Sequence, residues 1–334
     1  MNILLTGGAG FIGSHLAELL LGEGHSVRVI DDLSTGRFAN IADFASHPRF
    51  CLDEADVVTW DGLWAAAKWA DRIYHLAAVV GVRRVLSDPV RVLATNVAGT
   101  ERLLRAAAAG GRRPRIIFAS TSEVYGFNPN PQMREDADLS YKAGSKTRWS
   151  YAVSKLTGEH IVDAYAREYD LPAVVLRLFN TVGPRQRGEY GMVVPNFVRQ
   201  AVRGLPITVH GDGEQTRSFC DVRDTVRMIA QLGASNRAIG ATVNVGNDQE
   251  IAIKDLAELV RQRARSSSKI RYLSFTEAYG EDFVDVERRR PDLTHLRELI
   301  EFTPSWALAA TIDQLIAEQQ HEYTSIAEPD MAVA

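Results

Sequence analysis

Tyr151 and Lys155 stand four residues apart. On a helix that spacing puts both side chains on one face. A cation beside a phenol favours phenolate and lowers its pKa, so the pair can take a proton from a hydroxyl near neutral pH. Thr121, Ser122 and Glu123 put two hydroxyls and a carboxylate in succession after an apolar run. Groups of this kind relay protons. Arg289 and Arg290 close the charged segment 281–290. A guanidinium there can take a carboxylate or a phosphate through two parallel hydrogen bonds.

A third constellation lies near the start. Gly7, Gly10 and Gly13 follow the pattern G-x-x-G-x-x-G between a short apolar run and a helical pattern, with Phe11 and Ile12 inside it. Gly7 permits a tight turn, Gly10 lets the backbone approach a pyrophosphate, and Gly13 lets helix pack on strand. The helix N-terminus then offers unpaired N–H groups to the phosphates. Asp31 ends the second apolar run, 18 residues beyond Gly13. A carboxylate there accepts hydrogen bonds from an adenosine ribose and repels a 2′-phosphate, which favours NAD over NADP. Asp32 stands beside it and can exchange roles with it.

These groups need elements to hold them. Residues 2–6 read as a first strand and 13–22 as a helix with Ile12, Leu16, Leu19 and Leu20 on one face. Strands are expected at 26–30, 72–76, 115–120 and 173–178, with helices at 97–109 and 150–169. Alternation at this spacing predicts parallel βαβ units, and right-handed crossovers make them a Rossmann-like, doubly wound α/β sheet. Ligands bind such sheets at the carboxyl ends of the strands, where the glycines and Thr121–Ser122–Glu123 fall. After Phe179 the pattern loosens into a Gly/Pro/Arg loop at 180–187. Helices are expected at 195–203, 224–232 and 253–263, strands at 207–210 and 241–245, and a turn at 211–213. The expected division is a cofactor domain over 1–178, to which 218–248 returns, and a smaller substrate-binding lobe from 179–217 and 249–323. The tail 324–334 is small and polar and is expected to fray.

The 334 residues suit about two domains at roughly 150 residues each. Hydrophobic residues at 46% and charged residues at 24% are ordinary globular values, and a chain this long buries a core without staples. Lys+Arg 38 against Asp+Glu 42 leaves a net charge of −4, which excludes a strongly basic nucleic-acid binder on bulk charge. Cys51 and Cys220 cannot build a disulfide framework or a cysteine zinc site, so a cytoplasmic setting is expected. No metal is expected from the eight histidines. No apolar run reaches the ~18 residues of a membrane span, and residues 1–5 read as a strand rather than a leader. The arginine-rich stretches 102–115 and 261–269 read as solvated helix faces.

The order of the motifs resembles the extended short-chain dehydrogenase/reductase family. Ala9-Gly10-Phe11-Ile12-Gly13-Ser14 follows the first strand, and His75-Leu76-Ala77-Ala78 ends another. Asn96 opens a helix, Ser120 to Gly126 follow a strand, Tyr151-x-x-x-Lys155 lies on a helix, and Arg177 to Asn180 end a strand. With 10 tyrosines and six lysines, Tyr-x-x-x-Lys would arise by chance in roughly one such sequence in five, so the order of the other motifs carries the weight. The resemblance spans residues 2 to about 318. Within the family the chain looks like the NAD-dependent nucleotide-sugar epimerases, dehydratases and decarboxylases.

The resemblance implies roles for named residues. Lys155 would also hold the nicotinamide ribose, with Asp56, Val57, Leu76, Ala77, Ala78, Asn96 and Ser120 around NAD. Thr121 and Ser122 would contact the sugar O4. Thr121-Ser122-Glu123 resembles UDP-glucuronate decarboxylases, whereas simple 4-epimerases commonly carry a small or apolar residue where Glu123 stands. The segment 281–292 is similar to the decarboxylase segment whose arginine lies near the substrate carboxylate, and Arg289 matches that arginine. The implied reaction is decarboxylation of UDP-glucuronate through a 4-keto intermediate to UDP-xylose or UDP-4-keto-pentose. Val79 to Arg83 is closer to the 4-epimerases of UDP-glucose and UDP-glucuronate, which is the alternative reaction. Implied substrate contacts are Arg83, Asn180, Arg185, Tyr190, Val194, Thr208, Val209, Arg217 and Arg289, with Arg290 as an alternative phosphate binder. A homodimer built on two helices of each chain, one of them 150–169, is also implied.

Overall fold

The computed structural model describes residues 1–327 apart from 142–146, 189–190, 281–282 and 284, and leaves out the side chains of Arg83, Arg148 and residues 325–327. The first half runs β1 (Asn2–Thr6), α1 (Phe11–Gly22), β2 (Ser26–Asp31), β3 (Phe50–Glu54), α2 (Leu63–Trp69), β4 (Arg72–His75), α3 (Val82–Ser87), α4 (Pro89–Ala109), β5 (Arg115–Thr121), α5 (Ser150–Tyr169) and β6 (Ala173–Leu178). There follow β7 (Thr181–Val182), α6 (Val193–Val202), β8 (Ile207–His210), β9 (Thr216–Ser218), β10 (Cys220–Asp221), α7 (Val222–Ala234) and β11 (Thr242–Val245). The chain ends with β12 (Glu250–Ala252), α8 (Ile253–Arg263), β13 (Ile270–Leu273), α9 (Phe275–Tyr279), β14 (Arg288–Arg289), α10 (Thr294–Leu299) and α11 (Leu308–Ala327).

Seven strands form one sheet in the order β11-β6-β5-β4-β1-β2-β3. Every neighbouring pair is parallel. The order reverses between β1 and β4, and a doubly wound sheet opens its ligand crevice at such a point. The strands are apolar on both faces because both faces are covered. Ile3, Leu5, Val27 and Val29 pack with Leu16 and Leu20 of α1 and Val226 and Ile229 of α7. Leu4, Ile30, Ile73 and Phe118 pack the other way, with residues of α2, α4 and α5. The alternation within β1 is the period-two geometry of a strand.

A third core joins Val194, Phe197 and Val198 of α6 to Ile207 and Val209 of β8, to Leu256 and Val260 of α8, and to Ile312 and Ile316 of α11. Short strands bridge this part to the cleft: β9 pairs antiparallel with β12 and parallel with β14, and β8 pairs parallel with β13. Two helix ends differ from the sequence reading, the first for a local reason. α4 starts at Pro89 rather than 97, because Asp88 accepts a hydrogen bond from the Arg91 N–H at 3.1 Å and proline occupies the first turn. α11 continues to Ala327, four residues into the segment expected to fray; 328–334 lie outside the described residues. No described helix is long and apolar enough to cross a membrane.

Candidate active site

A cleft of about 810 Å³ runs along the carboxyl ends of the central strands and up to the short strands β8, β9 and β14. At one end the β1–α1 turn lines it with Gly7, Gly10, Phe11, Ile12 and Gly13. Gly7 has φ +74°, and a Cβ there would lie 2.7 Å from the Ala77 nitrogen. A Cβ on Gly13 would come 2.1 Å from the Gly7 carbonyl, so α1 seats on the turn only because this residue is glycine. No acidic residue occupies the first turn of α1, so nothing there repels a phosphate. Asp31 closes this end: Ala9 N–H and Leu33 N–H donate to its two carboxylate oxygens, each at 2.9 Å. Burial pushes its pKa up, and the backbone donors oppose that. Asp32 accepts from the Ser34 N–H at 3.0 Å, and Asp56 from the Val58 N–H at 2.7 Å. Both line the cleft with Val57. A glycine cradle, a helix N-terminus free of acidic residues in its first turn and a carboxylate at the end of β2 fit a dinucleotide.

The wall between the two ends carries Leu76, Ala77, Ala78 and Ser120. Behind it Asn96 is buried and does not line the cleft. It accepts from the Val79 N–H at 2.7 Å and donates to Ser154 Oγ at 3.0 Å, and Ser154 Oγ donates to the Tyr151 carbonyl at 2.7 Å. Asn96 thus ties the loop after β4 to the helix that carries Tyr151 rather than facing a ligand. His75 plays a similar part that the sequence did not signal. Thr100 spends its hydroxyl proton on the Asn96 carbonyl at 2.8 Å, so it accepts from His75 Nε2–H at 3.1 Å. His75 Nδ1 therefore accepts from Thr6 Oγ1 at 2.7 Å, and Thr6 Oγ1 accepts from the Ala77 N–H at 3.2 Å. Burial, with a smaller push from Lys155, lowers the His75 pKa to about 3.

The candidate reacting groups meet in the cleft. β5 ends in Thr121, and Ser122 and Glu123 follow in a single 3-10 turn capped by Thr121 Oγ1, which accepts from the Glu123 N–H at 3.2 Å. α5 presents Tyr151 and Lys155 to the cleft, with the Thr121 hydroxyl near enough to the Tyr151 phenol to lower its pKa. Arg289 Nη1 lies 3.6 Å from Glu123 Oε1, so two residues far apart in sequence form one charged patch beside the phenol. The electrostatics differ from the sequence expectation. Burial and the Glu123 carboxylate hold the Tyr151 phenol above its ordinary pKa, and only the Thr121 hydrogen bond works downward. Lys155 Nζ sits over the Phe118 ring, 4.8 Å from its centroid, and burial lowers its own pKa to about 7. Its charge is spent on the aromatic face and on the field of Glu159.

Beyond the reacting groups, Asn180, Val194, Thr208, Arg217 and Arg289 line the cleft. Asn180 donates to the Ser218 carbonyl at 3.2 Å, and the Thr208 N–H to Gln200 at 3.1 Å. Arg185 lines the rim, with its guanidinium 2.7 Å from Glu18 and 3.3 Å from Ser14 on α1, so it braces the loop against α1. The Val209 side chain points into the core, since only alternate residues of β8 face the cleft, which leaves the backbone contact expected of this strand untouched. One expected contact turns away. Arg290 follows Arg289 along an extended segment and therefore faces the other side, 3.9 Å from Glu250. Tyr190 and the Arg83 side chain lie outside the described residues. The sequence reading missed Asp285, whose Oδ2 is 2.8 Å from Arg217 Nη2, and the ring cluster of His210, Tyr279 and Phe283, with centroids 5.0 and 4.3 Å apart. Only the aromatic content near 275–283 hinted at the latter. Among the described residues no cluster of His, Cys, Asp and Glu could hold a metal ion.

Comparison with known proteins places this geometry. Residues 3–246 match the NAD dependent epimerase/dehydratase family. The chain is 38% identical over 311 residues to the UDP-N-acetyl-alpha-D-glucosaminuronate decarboxylase of Bacillus cytotoxicus, covering 91% of this chain and 93% of that protein. It is 37% identical over 315 residues to UDP-glucuronic acid decarboxylase 1 of Xenopus tropicalis, covering 94% and 71%. The UDP-glucuronic acid 4-epimerase of Bacillus cereus, solved with UDP-glucuronic acid and NAD, superposes with a TM-score of 0.87 at 28% identity, over 97% of this chain and all of that one. The chain belongs to the NAD dependent epimerase/dehydratase family and shares its NAD-binding, Rossmann-like fold.

Proposed function

We propose that this protein decarboxylates UDP-glucuronate, or its 2-acetamido counterpart, to a UDP-pentose. The observation that carries the reading is the Glu123–Arg289 pair beside Tyr151, 3.6 Å apart. A decarboxylase of a uronic acid needs a cation for the C6 carboxylate next to the group that works on O4, and Arg289 on the cleft wall is the residue we assign to it. What NAD supplies when bound at the glycine turn is reversible oxidation at sugar C4. Tyr151, in its phenolate form, takes the proton of the C4 hydroxyl, and the neighbouring Thr121 favours that form. Arg289 holds the C6 carboxylate. With C4 a ketone, the C5–C6 bond breaks, CO2 leaves, and the electron pair moves onto the C4 oxygen, where Tyr151 hydrogen-bonds it. Glu123, in its protonated form, then delivers a proton to C5 and is reprotonated from solvent; reduction of the C4 ketone, the reverse of the oxidation that bound NAD would supply, closes the redox balance and gives the UDP-pentose. Residues 179–217 and 249–323 serve as the lobe that holds the UDP, against the cofactor domain of 1–178 and 218–248.

The test is proton NMR of the protein incubated with NAD and each of the two UDP-uronates. The expected product has lost C6 and shows pentose signals. Signals of UDP-galacturonate with C6 kept would overturn the reading in favour of a 4-epimerase, the activity named for the Bacillus cereus structure. A homodimer through α4 and α5 belongs to the same proposal. Val90, Leu93 and Val153 are 74%, 36% and 41% exposed on those helices. Sedimentation should give a dimer, and Val153→Glu should weaken it.

A further inference from the structure

Arg217 and Arg289 are register partners on β9 and β14 and are 8% and 6% exposed. In a parallel ladder, register partners project to the same side, and both line the cleft. Two guanidiniums buried side by side repel each other and need anions. Among the described residues Glu123 lies beside Arg289, and Asp285 beside Arg217. The second pair has no place in the reaction above.

Its construction differs from that of the ion pairs that hold the fold. Arg223 grips Asp221 through Nε at 2.8 Å and Nη2 at 2.6 Å, and that carboxylate also accepts from the Arg223 N–H and from Thr311 Oγ1. The Asp221 side chain is wholly buried. Arg217 Nη2 lies 2.8 Å from Asp285 Oδ2, and the carboxylate is 19% exposed on the cleft. The other Asp285 oxygen accepts from the adjacent Val286 N–H at 2.9 Å. Val286 is buried against Trp149 and Ala152, and β14 begins two residues later, so the backbone here is anchored. The Asp285 carboxylate can leave Arg217 by rotating about its own side-chain bonds.

We propose that Asp285 is an internal counter-ion that competes with the diphosphate of the substrate for Arg217, and so sets how tightly the nucleotide is held. This rests on the nucleotide-sugar reading. The acid stabilises a buried cation while folding, and it lowers affinity for any ligand whose phosphates approach that cation. Removing its charge should therefore weaken the fold and tighten nucleotide binding together, a combination that a purely structural acid would not give.

UDP alone is the probe, titrated calorimetrically into the NAD-loaded protein. Asp285→Asn keeps the oxygen that accepts from Val286. It should bind UDP about tenfold more tightly, with steeper salt dependence and a melting temperature a few degrees lower. Adding Arg217→Met should abolish the gain. KM for the UDP-uronate should fall in the single variant. Equal or weaker UDP binding by a folded Asp285→Asn, or by Asp285→Ser as the second variant, overturns the proposal and leaves the nucleotide-sugar reading standing. Collapse of both variants overturns it too, since Asp285 would then be structural. If the unaltered protein fails to bind UDP, both readings fall.

Discussion

Two buried arginine–carboxylate pairs lie near the end of β5 and are built differently. Arg177 holds Glu159 through Nε at 3.1 Å and Nη2 at 2.8 Å, reaches the Glu135 carbonyl with Nη1 at 3.1 Å, and lies 4.9 Å from the centre of the Tyr125 ring. Ser120 donates to the same carboxylate. Arg289 and Glu123 meet at 3.6 Å, beyond hydrogen-bond range, on the wall of the cleft. The first pair is closed on itself and locks β5, β6 and α5 together. The second lies on the wall of the cleft, where a ligand carboxylate can enter its field. The same two residue types hold a fold in one place and line a cleft in the other, and the difference lies in where the pair sits and how closely its two members meet.

The largest expected effect breaks the closed pair. Arg177→Met leaves Glu159 buried without its cation and should cost about 3–5 kcal/mol in urea unfolding. A cost below about 1 kcal/mol would mean that the pair is not what locks these elements. Glu123→Gln is the matching change in the loose pair. It should leave unfolding within about 1 kcal/mol of the parent, and lower CO2 release from UDP-glucuronate by about a hundredfold, the usual contribution of a positioned proton donor. A Gln variant that unfolds as readily as Arg177→Met would erase the distinction.

The contrast also explains what was legible in advance. The glycine turn and Asp31 act through neighbours in sequence, so their spacing carries the geometry. Tyr151 and Lys155 are placed by a single helix, and periodicity finds a helix of that length. β9 and β14 are strands of three and two residues, too short for any pattern, yet they decide that Arg217 and Arg289 face the cleft while Arg290 does not. The pairing of Arg217 with Asp285, and the burial that raises the Tyr151 phenol, depend on elements that meet only in the folded chain. Spacing alone suggested that Lys155 would tune the phenol; packing gave the lysine to Phe118 instead.

A buried group can also be kept neutral rather than paired, and His75 is that case. Its folded pKa of about 3 lies below the 6.5 of an exposed imidazole. The unfolded chain therefore binds the proton that the folded chain refuses between those values, so stability falls as pH drops through that window. From pH 7 to pH 5 the loss from this group is about 2 kcal/mol. His75→Gln retains a donor and an acceptor but has no proton to gain. Its unfolding free energy should fall less steeply with acid, by about one proton's worth of slope, and an unchanged slope would remove His75 from the account.

The smallest expected effect isolates burial from geometry. Arg263 on α8 meets Asp313 on α11 through Nε and Nη2, a two-point contact as complete as that of Arg177, but both side chains are more than two-fifths exposed. Water screens the attraction, and ordering two long side chains offsets what remains. Asp313→Asn should leave the urea midpoint where it was at physiological salt. A clear shift would mean that burial does not decide the worth of these pairs, and the cost expected for Arg177→Met would then need another source than the burial of Glu159.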